Sequence, residues 1–204
     1  MRRSGSESWG IETSVDRHGA TMLYLRDAAG LTGPADYAVP QLSPPVPLRA
    51  ALAPHASAAA AEQWRPWWDE HLDRLGARSG RGRDLVGPLP APPPEPGTDL
   101  RALYEQVADE ANAWVRERMQ EFAAHSTGPL ARGRLRQPAE TVARIERELG
   151  RACAPFRLSV WVLPLARKWG HRLHGVPALM VSEALWLDPD AWDRFLDPVV
   201  RSLA

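Results

Sequence analysis

The chain has 204 residues, the size of one medium domain, and its 25 basic side chains balance 25 acidic ones. Zero net charge argues against a dedicated nucleic-acid binder, which shows a clear basic excess or stripe. No stretch approaches the ~18 apolar residues of a membrane span, and the opening "MRRSGSESWGIETSV" lacks the apolar run of a secretory signal. A lone Cys153 leaves no intramolecular disulfide, which suits a cytoplasmic protein.

The first elements read as strands. In "WGIETSV", residues 9–15, the side chains Trp9, Ile11, Thr13 and Val15 share one face. "DRHG" follows as a turn at Asp16–Gly19, and "ATMLYLR" over 20–26 reads as the return strand of a hairpin. Residues 33–54 carry six prolines and predict an extended connection. Ser57 then caps a helix over 57–75. On it Trp64, Trp67, Trp68, His71, Leu72 and Leu75 recur at spacings of three and four, and Pro66 kinks it or starts it afresh. Three large indoles on a stripe with leucines point to core or interface rather than to a ligand platform.

Residues 76–97 hold five glycines and six prolines and predict a Pro/Gly-rich linker within a single domain, 1–204. The clearest helix covers 99–124, with an apolar stripe through Leu103, Val107, Ala111, Trp114 and Phe122. "STGPLARGRLR" breaks it, and Arg132, Arg134 and Arg136 fall in that connection as a solvated cluster. A shorter helix follows, with Pro138 in its first turn and Gly150 as its cap. The period then changes from 3.6 to 2. Phe156, Leu158, Val160 and Val162 alternate in one strand, and "PALMVSEALWL" returns as its partner. Asp188 caps a last helix with Pro189 at its first position.

The predicted order is ββ–ααα–ββ–α. The fold class it implies is α+β: an antiparallel sheet built from an N-terminal and a C-terminal hairpin, with helices packed on one face.

"ARKWGHRLHG", residues 166–175, is the most chemically loaded stretch. It joins the two C-terminal strands as a hairpin loop. His171 and His174 are candidate catalytic groups, and Arg167, Lys168 and Arg172 are candidate anion contacts. Two histidines leave a structural zinc site unfilled, and three cations around them oppose a divalent ion, so no metal is expected. Glu183 is the third catalytic candidate. In a continuous strand it lies in an apolar row, where Arg157 or Arg167 would have to pair with it. With Ser182 as an N-cap, it sits instead in the first turn of a helix. "DPD" at 188–190 is a capped helix start rather than a metal motif, and Cys153 has no activating neighbour in sequence. Phosphate-loop, dinucleotide, nucleophile-elbow and kinase patterns are absent, and no cofactor is implied.

The C-terminal "RLSVWVLPLARKWGHRLHGVPALMVSEALWLDPDAWDRFLDPVVRSLA" and the N-terminal "WGIETSVDRHGATMLYLRDAAGL" resemble small uncharacterised proteins of GC-rich actinobacteria. That resemblance implies a bacterial cytoplasmic origin and carries over no activity. The functional expectation is a binding protein that recognises a protein partner or itself, with nine tryptophans to anchor an interface. The alternative is a small enzyme acting on an anionic substrate through the 167–174 loop and Glu183. Nucleic acid and membrane are not expected partners.

Overall fold

The computed structural model describes residues 9–31, 39–79, 94–127 and 129–204, with 125–127 and 129–136 traced as backbone. Strand β1 (Gly10–Val15) leads directly into helix α1 (Arg17–Ala29). A short 3-10 turn (Ala50–Leu52) precedes α2 (Ala58–Arg78), α3 (Asp99–Thr127) and α4 (Pro129–Leu149). Strands β2 (Arg157–Leu163), β3 (Gly170–Arg172) and β4 (Ala178–Ser182) follow, and α5 (Glu183–Trp186) and α6 (Pro189–Leu203) end the chain.

The sheet is mixed, not antiparallel. Its order is β1-β2-β4-β3, with β1 and β4 both parallel to β2 and only β3 antiparallel to β4. The expected N-terminal hairpin does not form, because residues 20–26 are helical. Asp16 is not a turn residue but the N-cap of α1, its side chain accepting from the Gly19 amide at 3.0 Å. "ATMLYLR" misleads because α1 is buried on most of its circumference, from Ala20 through Leu25. A helix buried all round carries no clean polar face to mark its period.

The C-terminal pair is also corrected. β2 and β4 lie side by side but run parallel, and the connection between them contributes β3 to the far edge. "ALMVS" is buried at every position, as expected of a strand covered on both faces. One core cluster joins Trp161, Leu163, Ala178 and Met180 to α1, α2 and α3. The other joins Leu158, Val160, Val162, Leu179 and Val181 to α4, α5 and α6. Helices therefore cover both faces, not one.

Two further expectations shift. Helix α4 starts at Pro129, so Pro138 lies inside it and the segment holding Arg132, Arg134 and Arg136 is helical rather than a connection. Helix α2 runs on through Arg78 into the expected linker, of which 80–93 lie outside the described residues; so do 32–38 of the proline-rich connection. Among the described helices none is long and apolar enough to cross a membrane.

Candidate functional site

Helix α2 and the strand β3 with its following turn face each other across a cleft of about 510 Å³. Rows at i, i+4 and i+8 build the helical wall: Trp68, Leu72 and Gly76 form one row, and Arg65, Asp69 and Asp73 the next. Gly76 sets how close the walls come. A Cβ placed there would stand 3.4 Å from the Val176 side chain, which touches the helix at that end.

The opposite wall follows strand alternation. Trp169 and His171, two residues apart, share a face and stack with ring centroids 6.0 Å apart at 10°. His174 meets His171 edge-on at 6.1 Å. Gly170 and Arg172 belong to the other face, where a Cβ on Gly170 would press within 2.5 Å of the Phe195 ring. Burial, and then the neighbouring His174, push the His171 pKa below its ordinary value. The imidazole stacked on the indole shares the cleft with the carboxylates of Asp69 and Asp73 and the Arg65 guanidinium.

The sequence candidates divide. His171 and His174 line the cleft. Arg167, Lys168 and Arg172 do not: all three are exposed, and Lys168 forms an ion pair with Asp188, whose carboxyl is held below its usual range mainly by that contact. Glu183 takes the helical alternative. Ser182 caps α5 by accepting from the Leu185 amide at 3.1 Å, and Glu183 opens its first turn. It lines a separate void of about 10 Å³ with Val15, Val162, Pro164 and Arg118 at the C-terminal ends of β1 and β2. Arg157 lies at the opposite end of β2. The three proposed catalytic groups are therefore not brought together. Trp64, Trp67 and Trp68 are buried, and Trp64 stacks on Trp68 at 5.4 Å and donates its indole N–H to the Met22 carbonyl at 3.1 Å. Among the described residues no group of three or more His, Cys, Asp or Glu side chains is placed to hold a metal.

A second hollow, about 760 Å³, lies beyond Trp64 between the C-terminal end of α1, residues 39–48 and the start of α2. Its larger size does not make it the better site. Arg26 donates to the carbonyls of Val39 and Pro40 at 2.9 and 2.8 Å, and Asp27 accepts from the Leu42 amide at 2.8 Å. Its buried charges are engaged in holding the 39–42 segment.

Sequence reasoning missed the buried pair behind the cleft. His71 Nε2 lies 2.7 Å from Asp16 Oδ2, with both side chains almost wholly buried. The Trp68 ring separates the pair from the cleft at 5.8 Å from His71. It also missed Asp69 and Asp73, though their i, i+4 spacing beside Trp68 and Leu72 was available as a signal.

No family model matches the chain, and no curated sequence or solved structure matches it either.

Proposed function

We propose that this is a binding protein that recognises a protein partner by seating a guanidinium or aromatic side chain in the cleft between α2 and β3. The observation that carries the reading is the Trp169–His171 stack facing Asp69 and Asp73. Flat π faces attract a planar cation, and the carboxylates supply the complementary charge. Among the described residues the lining sets the carboxylates of Asp69 and Asp73 against the cation Arg65, with the His171 pKa lowered, and this favours a cationic or neutral guest over an anion. The expectation of an anionic ligand loses its support because its three cations lie outside the cleft. Among the described residues the lining holds no serine, threonine, cysteine or lysine nucleophile, which supports recognition rather than covalent catalysis. The single cysteine of the chain, Cys153, fits a cytoplasmic site of action.

The test is titration with short amidated peptides carrying a central Arg, Trp or Glu, read by tryptophan fluorescence and calorimetry. Arg- and Trp-centred peptides should bind, and Trp169→Ala should abolish both. The double change Asp69→Asn, Asp73→Asn should weaken the Arg peptide about tenfold and spare the Trp peptide. Preferential binding of the Glu peptide, or of inorganic phosphate, would reverse the reading.

A further inference from the structure

Among the described residues, the edge of the sheet opposite the cleft is open. Among the described strands β1 pairs only with β2. Gly10 N–H donates to the Phe156 carbonyl at 2.8 Å and Asp16 N–H to the Val162 carbonyl at 3.0 Å. Parallel pairing therefore turns residues 10, 12, 14 and 16 toward β2. The amides and carbonyls of Ile11, Thr13 and Val15 face outward, where no described residue bonds to them. Glu12, Thr13 and Ser14 are exposed. An open edge is ordinarily protected by proline, lysine, a bulge or extreme shortness. "GIETSV" has no proline, lysine or bulge over its six residues and a single charge, Glu12, whereas the other edge strand, β3, is only three residues long.

We propose that β1 is a self-association edge that pairs antiparallel with β1 of a second copy about a two-fold axis through Thr13. The side chains select both the occupant and the register. Centred on Thr13, each Ile11 lies opposite the Val15 of the other copy. Both belong to the face that carries Leu158, Val160 and Val162, so the pairing extends an apolar surface. On the other face each Glu12 lies opposite a Ser14, whose hydroxyl can donate to the carboxylate. Sliding by two residues in one direction centres the axis on Glu12 and sets two carboxylates against each other. Sliding the other way centres it on Ser14 and leaves Ile11 unpaired. In the Thr13 register the outward peptide groups of residues 11, 13 and 15 all meet partners, and two four-stranded sheets become one. This pairing is independent of the cleft, and a monomeric chain would leave the reading of the cleft standing.

Sedimentation equilibrium over roughly 1–200 µM tests the proposal. The full chain should show a monomer–dimer equilibrium. Thr13→Pro should leave it monomeric with an unchanged far-ultraviolet spectrum, because the lost N–H faces outward and serves no internal bond. Ser14→Glu, on an exposed position, sets a carboxylate against Glu12 twice and should weaken association about tenfold. Ser14→Arg reverses that contact and should tighten it. A chain that stays monomeric throughout, a dimer that Thr13→Pro and Ser14→Glu leave unchanged, or a Ser14→Arg variant weakened as much as Ser14→Glu overturns it.

Discussion

Gly19 occupies the tightest corner in the structure, and replacing it by alanine separates local helix propensity from tertiary packing. Gly19 is the third residue of α1, and its amide donates to the Asp16 cap at 3.0 Å. A Cβ built there falls 2.9 Å from Asp16 Cγ and 3.3 Å from His71 Nε2, in a place where neither neighbour is free to retreat. Propensity alone says that Gly→Ala in a helix gains about 1 kcal/mol. Against that, Asp16 must turn away. Losing the cap costs about 0.5–2 kcal/mol, and leaving buried His71 without its partner costs about 1–3 kcal/mol. The net is a loss of roughly 2–3 kcal/mol, which for a chain of this length lowers Tm by roughly 5–10 °C. Calorimetry on Gly19→Ala measures it, and the same change in an Asp16→Ala background decides its cause. With the carboxylate gone the methyl has room, so Gly19→Ala should turn neutral or stabilising, with a coupling energy of about 2 kcal/mol. If Gly19→Ala stabilises the otherwise unaltered chain, or costs the same in both backgrounds, the packed corner of Asp16, Gly19 and His71 is not what holds α1 to α2.

Trp68→Ala removes one of the two fully buried tryptophans among the described residues, the other being Trp192, and should cost roughly 3–5 kcal/mol, read as a fall in the denaturant midpoint. His171 titrates below its unfolded value, so the unfolded chain takes up this proton first as the solution is acidified. Its contribution to stability is complete above pH ~6.5 and declines as pH falls through the depressed folded value. Stability measured against pH should show that acid limb, and His171→Gln should flatten it. The Tyr24 hydroxyl donates to Glu110 Oε1 at 2.7 Å, and burial followed by that carboxylate pushes its pKa up to about 12. Its share of stability holds below pH ~10 and is lost as pH rises toward the folded value. Ultraviolet titration should show a late tyrosinate step that Tyr24→Phe removes.

What the sequence discloses depends on how many of an element's sides are covered. Helices α2, α3 and α6 each leave a face to solvent, and their caps at Ser57 and Asp188 and the stripe through Leu103, Val107 and Ala111 are visible in the letters alone. α1 is wrapped on most sides, so its apolar run lost its period, and Asp16–Gly19 looked like a hairpin turn. Strand direction is equally hidden, since alternation reports faces and says nothing of parallel or antiparallel neighbours. The one clue was "ALMVS", a run without alternation, which fits a strand covered on both faces better than one side of a solvated hairpin. In the loop at 166–175 the charges drew attention, but the backbone turned them out: Gly170 packs on Phe195, so Trp169 and His171 face the cleft and Arg172 the solvent. The Asp16–His71 pair joins residues 55 apart, a separation at which no spacing rule operates.

The strand order gives the two surfaces a physical relation. β1 and β3 are the opposite edges of one sheet, so the proposed self-pairing edge and the proposed recognition cleft beside β3 do not compete for the same space. Joined through β1, two copies carry their clefts at the far ends of a continuous sheet. A partner offering two suitable side chains at that spacing then binds its second site intramolecularly, at an effective concentration that can reach the millimolar range. A single cleft with an exposed aspartate rim is expected to bind weakly on its own, because exposed charges are screened and one seated side chain buries little surface. The proposed paired form would supply what one cleft lacks. Thr13→Pro should therefore reduce binding to an immobilised, densely displayed Arg peptide far more than binding to the same peptide free in solution. Equal losses in the two formats would show that the edge and the cleft do not work together.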